Sequence, residues 1–260
     1  MYMNKILYFS LFLLLISTST SYAFLDVETL PLQRTRQYTA GPYKNIIVFS
    51  APRTGSSVVY NILKYLFEDD SNLLSLHTDF DLNKRVLKAH FFSDFESVPT
   101  SDALYVYTYR DPITASISHF RICMKQITDI RTFASQVSKM HIDYLIYSEE
   151  MEREGKNLLR LRYEDFSNNL DYLLNTFEAQ FHIEIDHKDK ELMREGYSKQ
   201  SIYLNTVNFN SFNEYLPISG FHGNHIDVNG YTPPKKFVHW LNHYFKESKY
   251  LFKRYGYFID

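Results

Sequence analysis

The sequence predicts an α/β domain with three layers, in which helices cover both faces of a central parallel β-sheet. Short apolar runs alternate along the chain with longer segments of helical period, and this alternation is typical of parallel sheets. No internal repeat, low-complexity tract or Gly/Ser linker follows residue 40. A chain of 260 residues is long enough for one large domain, and one domain is what we expect.

The predicted strands are short runs rich in apolar, β-branched or aromatic residues, as buried parallel strands require. They are residues 45–50, 86–89, 104–109 and 157–162. The predicted helices have apolar residues at a spacing of three to four. One predicted helix begins at residue 56 and another at residue 112. Further helical segments are residues 131–153, 164–182, 186–200 and 237–255. Residues 201–234 are rich in Asn, Gly and Pro and show little regular signal.

The first residues have the pattern of a targeting segment. Lys5 precedes an apolar run from Ile6 to Ile16, and small residues end the segment at Ala23. A membrane span needs about 20 apolar residues, and this run is shorter. The pattern therefore predicts a signal peptide over residues 1–23. A short, uncut membrane anchor is the alternative. Residues 24–44 are then expected to be a connecting arm and residues 45–260 the folded domain.

Composition argues against some functions. The net charge of −2 provides no general basic field for nucleic acid, so any anion site must be local. Cys123 is the single cysteine, and its apolar surroundings predict a structural thiol rather than a nucleophile. No metal is expected. His239 and His243 lack the Glu of a zinc-binding HExxH helix, and no cluster of ligands accompanies His222 and His225.

The loop after the first predicted strand has the composition of a phosphate cradle. It reads Ser-Ala-Pro-Arg-Thr-Gly-Ser-Ser over residues 50–57 and leads into a helix. A helix N-terminus favours anions, Arg53 adds charge, and Gly55 permits a close approach of the backbone. It is not a Walker A loop, because Gly55 is followed by Ser56 and Ser57 instead of Lys. An ordinary strand-to-helix turn would explain the same residues equally well.

A second candidate anion site follows the third predicted strand. Arg110 ends that strand, and Asp111 and Pro112 begin a helix as N-cap and first helical residue. Ser118 lies two turns along the helix, where its hydroxyl could reach the same anion as Arg110. A capped helix with Arg110 paired to a carboxylate is the alternative.

These two loops resemble the nucleotide-binding motifs of PAPS-dependent sulfotransferases. Residues 52–57 resemble the family's 5′-phosphosulfate loop, which usually reads Pro-Lys-Ser/Thr-Gly-Thr/Ser-Thr/Ser. Arg-Asp-Pro with a serine eight residues after the arginine resembles its 3′-phosphate motif. The resemblance implies a P-loop nucleotide-hydrolase-like fold and PAPS as sulfuryl donor, with PAP as product. It places the 5′-phosphosulfate on Arg53, Thr54, Gly55, Ser56 and Ser57, and the 3′-phosphate on Arg110 and Ser118.

Lys88-Ala89-His90 follows the second predicted strand and contains the candidate base. Histidine has a pKa suited to removing a proton near neutral pH, and Lys88 could neutralise charge on the transferring group. A structural histidine is the ordinary alternative among ten histidines. The segment resembles the Lys-Thr-His of many sulfotransferases, and this implies that His90 is the catalytic base with Lys88 and Arg53 beside it.

In the later part of the chain, one segment resembles a family motif and another family motif is missing. Tyr163 begins a Tyr-Glu-Asp segment like the one whose tyrosine lies near the adenine in the family. The Arg-Lys-Gly loop that many members place over the 3′-phosphate is absent. Lys235, Lys236 or His225 are candidates to replace it, although a solvated helix start explains the lysines equally well. Residues 70–83 and 201–234 are expected to shape the acceptor pocket.

The resemblance implies transfer of a sulfuryl group from PAPS to a hydroxyl of a carbohydrate or another alcohol, and the predicted secretory location favours carbohydrate. The alternatives are a kinase-like phosphoryl transferase and a non-catalytic secreted binding protein on the same fold. A signal peptide favours the secretory pathway and a Golgi lumen that imports PAPS. A membrane-anchored protein with a cytosolic domain is the other possibility, and contact with a membrane is expected only through an uncleaved N-terminal segment.

Overall fold

The computed structural model describes residues 37–68, 83–89, 94, 100–206, 221 and 231–259. The strands are β1 (Asn45–Phe49), β2 (Val86–Ala89), β3 (Ala103–Tyr109) and β4 (Leu158–Arg162). The helices are α1 (Ser56–Phe67), α2 (Pro112–Cys123), α3 (Ile130–Arg153), α4 (Tyr163–Phe166), α5 (Leu170–Phe181), α6 (His187–Tyr197), α7 (Lys199–Thr206), α8 (Lys235–Lys246) and α9 (Lys249–Arg254).

The four described strands form a parallel sheet in the order β2–β1–β3–β4. All five residues of the central strand β1 are buried, and Ile46 pairs with Val86 on one side and Leu104 on the other. The chain passes from β1 to β2 and then crosses to β3 on the opposite side of β1. The order therefore reverses between β1 and β3, and the crevice beyond the carboxyl ends at such a point is where open α/β sheets bind ligands.

Alternate residues of the strands pack into two separate apolar layers. Ile46 and Val48 contact the layer that contains α1, α5 and α6, whereas Ile47 and Phe49 contact the layer that contains α2, α3, α8 and α9. Successive side chains of a strand point to opposite faces, so helices cover both faces of the sheet. The predicted three-layer α/β fold with a parallel sheet is confirmed.

Two predicted helices are interrupted by polar caps. The segment predicted as one helix over 164–182 is divided because Asn169 caps α5, its side-chain oxygen accepting from the Tyr172 N–H at 3.3 Å. The helix predicted over 186–200 ends at Tyr197 because Ser198 is extended, and Ser198 Oγ accepts from the Ser201 N–H at 3.2 Å. The following helix α7 enters the range predicted to be irregular.

The described end of the predicted connecting arm packs onto the domain. The Tyr38 hydroxyl donates to Asp189 Oδ2 at 2.5 Å and accepts from the Asp186 N–H at 2.9 Å. Tyr65 of α1 donates to the other oxygen of Asp189 at 2.9 Å, so one buried carboxylate joins the arm, α1 and α6. Within the part of the chain that is described, no helix has the length and apolar character to cross a membrane. The predicted targeting segment lies outside that part.

Candidate functional site

The loop between β1 and α1 has two residues with positive φ. Arg53 has φ 70° and Gly55 has φ 86°, a region that residues with a Cβ rarely adopt. A Cβ on Gly55 would lie 2.7 Å from Tyr163 Cδ2 and 2.8 Å from Phe166 Cζ. Gly55 is therefore required both by the turn of the chain and by the close packing of α4 against the loop.

The hydroxyl of Thr54 points into the protein. Thr54 Oγ1 donates to the carbonyl of Ala51 at 2.9 Å and shares a hydrogen bond of 2.9 Å with the hydroxyl of Thr108 in β3. Both threonines are buried. Thr54 thus fixes the loop to the carboxyl end of β3, and its side chain is occupied by contacts within the protein.

The first residues of α1 meet a lysine from β2. Lys88 Nζ donates to Ser57 Oγ at 2.7 Å, and no acidic residue occupies the first turn of α1. Burial, followed by the positive charge of Arg53, lowers the pKa of Lys88 to about 8. A helix N-terminus with a lysine and a serine hydroxyl beside it is a favourable place for an anion.

Arg53 and Arg110 approach each other across the switch point. Arg53 Nε donates to Ser118 Oγ at 3.0 Å, and Arg110 Nη1 lies 3.5 Å from the carbonyl oxygen of Arg53. Burial, followed by the charge of Arg110, lowers the pKa of Arg53 to about 10. The structure therefore brings together the loops after β1 and β3, and it also brings Ser118 to Arg53.

Tyr163 forms the wall between the two loops. The guanidinium carbon of Arg110 lies 4.3 Å from the centroid of the Tyr163 ring, within the range of a cation–π interaction. The next residue, Glu164, accepts from the Asp111 N–H at 3.1 Å and from the Tyr257 hydroxyl at 2.6 Å. The start of α4 therefore connects the Arg110 loop to the C-terminal segment.

A cleft of about 860 Å³ opens over the carboxyl ends of the strands. Its volume is that of a pocket for a nucleotide-sized molecule. The side chains of Arg53, Arg110, Arg121 and Lys199 line it, together with Tyr163 and the first residues of α1. None of the described lining residues is acidic. The cleft is thus a region of concentrated positive charge in a protein whose net charge is −2.

Several lining residues, among them Arg121, Tyr197 and Lys199, were not expected from the sequence. Tyr197 and Lys199 belong to α6 and α7, and Arg121 lies three residues after Ser118 on α2. The spacing of Arg121 from Ser118 is a signal that could have identified it, because residues three apart lie on one face of a helix. No local pattern marks Tyr197 or Lys199, because packing of α6 against α1 brings the end of α6 to the cleft.

The remaining candidates have different outcomes. His90, the expected base, and His225 lie outside the described residues, and no described histidine lines the cleft. Lys235 and Lys236 are exposed at the start of α8 and are not among the described lining residues. The described residues contain no group of three or more metal-ligating side chains that could hold an ion. Burial raises the pKa of Cys123 to about 11, as a structural thiol requires.

The arrangement of elements is similar to that of a solved sulfotransferase structure. The crystal structure of mouse sulfotransferase SULT7A1 complexed with PAP matches with a TM-score of 0.55 and 14% identity, over 85% of this chain and 90% of that chain. This protein has the sulfotransferase fold. The sulfotransferase domain of the Synechococcus PCC 7002 olefin synthase matches with a TM-score of 0.42 and 12% identity, over 63% of this chain and 82% of that chain. No protein-family model and no curated protein sequence matches.

The sulfotransferase fold agrees with the P-loop nucleotide-hydrolase-like architecture expected from the loops after β1 and β3. The roles assigned to individual residues by that resemblance stay predictions.

Proposed function

We propose that this protein is a sulfotransferase that moves a sulfuryl group from PAPS to a hydroxyl group of an acceptor. The observation that carries the proposal is the charge of the cleft, in which four cations face one cavity and no described lining residue is acidic. PAPS carries anionic groups at both its 5′ and 3′ positions, and a cleft with one sign of charge attracts such a ligand. The sulfotransferase fold supports the same class of function.

The donor would lie across the carboxyl ends of β1 and β3. The 5′-phosphosulfate would contact Arg53, Gly55 and the N-terminus of α1, where Ser56 and Ser57 add hydroxyl groups. Thr54 would contribute through its main-chain N–H, because its hydroxyl is bonded within the protein. Arg110 and Ser118 would contact the 3′-phosphate. Tyr163, which lines the cleft beside Arg110, would contact the adenine.

Transfer would follow an in-line path in which the acceptor oxygen bonds to sulfur while the bond from sulfur to the bridging phosphate oxygen breaks. PAP leaves with the electron pair, and Arg53 and Lys88 would neutralise the charge that develops on the bridging oxygen. The acceptor proton would pass to His90. In the sequence His90 directly follows β2, which is the neighbour of β1 in the sheet.

A carbohydrate hydroxyl is the acceptor we favour, and it follows from location. The predicted signal peptide would deliver the chain to the secretory pathway, where a Golgi lumen that imports PAPS would supply the donor. If the N-terminal segment is instead an uncleaved anchor with a cytosolic domain, small alcohols of the cytosol become the candidates.

The donor is tested by calorimetric titration of the purified protein with PAP, with ATP as comparator. We expect micromolar affinity for PAP, much weaker binding of ATP, and loss of PAP binding in Arg110→Ala. Because Arg110 packs on Tyr163, the thermal unfolding of this variant is measured in parallel. A folded wild-type protein that binds no PAP would contradict the proposal, and a preference for ATP would favour phosphoryl transfer.

The proposed base is tested with sulfur-labelled PAPS and desulfated glycosaminoglycans or simple glycosides as acceptors. We expect His90→Ala to lower the rate of transfer by roughly 100-fold or more while PAP affinity stays unchanged, because a general base acts on the acceptor proton and not on the donor. His187→Ala, on the exposed start of α6, is the matched control. Transfer at the wild-type rate in His90→Ala would remove this residue from the mechanism.

A further inference from the structure

Arg121 lies one helical turn after Ser118 on α2, so the two residues share a face of the helix. It lines the same cleft as Arg53 and Arg110. After burial and the charge of Arg110, the positive charge of Arg121 is a further cause that lowers the pKa of Arg53. Arg121 therefore belongs by position to the group formed by Arg110 and Ser118.

We propose that Arg121 is a specificity-determining residue that recognises the 3′-phosphate of the donor nucleotide. The inference rests on the proposed function, because it assigns a role within the proposed PAPS site. Arg121 would make the protein bind nucleotides that carry a 3′-phosphate more tightly than nucleotides that lack one.

The charge of the ligand gives the reason for a further cation. A phosphate monoester carries close to two negative charges at neutral pH. Arg110 supplies one positive charge, and Ser118 supplies a neutral hydroxyl that also accepts a hydrogen bond from Arg53. Arg121 is the next cation along this face of α2 and completes the neutralisation of a dianion.

The other cations in and beside the cleft have different positions. Lys88 contacts Ser57 at the start of α1, where the 5′ group is proposed to bind. Lys199 belongs to α7, an element separate from the one that carries Ser118 and Arg121. The guanidinium carbon of Arg121 lies 5.9 Å from the centroid of the Tyr231 ring, a contact that helps to orient the side chain. Arg121 thus lines the cleft from the same helix that carries Ser118.

The experiment compares PAP with adenosine 5′-monophosphate, which lacks the 3′-phosphate, by calorimetry. We expect Arg121→Gln to weaken PAP binding by roughly 10- to 100-fold, as loss of a charge-assisted hydrogen bond does, with little change for the monophosphate. Arg121→Lys should recover part of the loss, because it restores the charge. Arg153→Gln is the matched control, since Arg153 is exposed at the end of α3.

The wild-type titrations are read first, because a wild-type protein without a preference for PAP removes the proposed function and this inference with it. If the wild type prefers PAP and Arg121→Gln keeps that preference, the role of Arg121 alone is wrong. Equal losses for both nucleotides would also overturn it, because they would indicate a general effect of charge or folding. Thermal unfolding of Arg121→Gln separates these two causes.

Discussion

At the scale of single residues, Lys88, which donates to the cleft residue Ser57, illustrates how burial controls charge beside the cleft. Its pKa is lowered to about 8, first by burial and then by Arg53, while Nζ keeps a hydrogen bond to Ser57 Oγ. The charged form therefore predominates at neutral pH but is lost within a short range above it. A bound oxyanion would favour the charged form again, since an opposite charge nearby raises the pKa of a lysine.

PAP affinity is expected to fall as pH rises from about 8 to about 9.5, approaching a tenfold loss per pH unit, because binding then requires the uptake of one proton by Lys88. Lys88→Met should bind more weakly at pH 7.5 and show a flatter profile. Calorimetry in buffers of different ionisation enthalpy measures the proton uptake directly. Identical pH profiles for the wild type and the variant would exclude Lys88 from the donor site.

The stability of the unliganded protein should change in the opposite direction through the same residue. The unfolded chain holds the Lys88 proton up to the ordinary pKa of 10.5, whereas the folded chain releases it near 8. Between these values the unfolded state binds more protons, so the contribution of Lys88 to the free energy of unfolding rises with pH. As pH rises above about 8, loss of the Lys88 proton is therefore expected to weaken PAP binding and to raise the free energy of unfolding of the unliganded protein.

At the scale of elements, the loop after β1 packs tightly against the short helix α4. Gly55 has positive φ, and the rings of Tyr163 and Phe166 occupy the volume that a side chain would need. Phe166 is fully buried, so its ring cannot move into solvent. The same packing positions Tyr163 beside Arg110, and the shape of the cleft therefore depends on it.

Gly55→Ala is expected to lower the free energy of unfolding by about 2–4 kcal/mol, from a left-handed backbone and from overpacking against two rings. Gly155→Ala is a matched control, because Gly155 also has positive φ but no atom lies within 4 Å of the position that a methyl group would take there. The control should lose only about 1 kcal/mol or slightly more. Urea denaturation measures both, and equal losses would show that the ring contacts are not rigid.

The elements also show what the sequence can predict. The four strands and most helices could be predicted because each is a short apolar run or has a helical period, and α2 also has an N-cap in Asp111 followed by Pro112. The division of residues 164–182 was missed because Asn169 interrupts a continuous apolar period only through a side-chain hydrogen bond. The helical start of the range 201–234 was missed because its polar residues are typical of loops.

At the scale of the whole molecule, the fold and one side of the cleft could be predicted from the order of motifs along the chain. Arg53, Gly55, Ser57 and Arg110 each follow a strand, and parallel strands end at one edge of the sheet. The opposite wall of the cleft, formed by the end of α6 and by α7, could not be predicted. Lys199 reaches the cleft only through tertiary packing of α6 and α7, which no local pattern encodes.

Glu164 connects distant parts of the chain to the site. Its carboxylate accepts hydrogen bonds from the main chain of Asp111 and from the hydroxyl of Tyr257, ninety-three residues further along the chain. Arg162 lies 3.4 Å from the same carboxylate. The C-terminal segment therefore helps to hold the loop that carries Arg110, although it does not line the cleft in the part of the chain that is described.

The concentration of guanidinium groups in the cleft makes common buffer anions part of the protein's behaviour. Arg53, Arg110 and Arg121 repel one another, and after burial this repulsion is a further cause of the lowered pKa of Arg53. Any ligand that binds only the folded state stabilises it, by an amount that grows with the ligand's concentration relative to its dissociation constant. Inorganic phosphate or sulfate would therefore raise the melting temperature and at the same time compete with the proposed nucleotide, so affinities for PAP are best measured in buffers without such oxyanions.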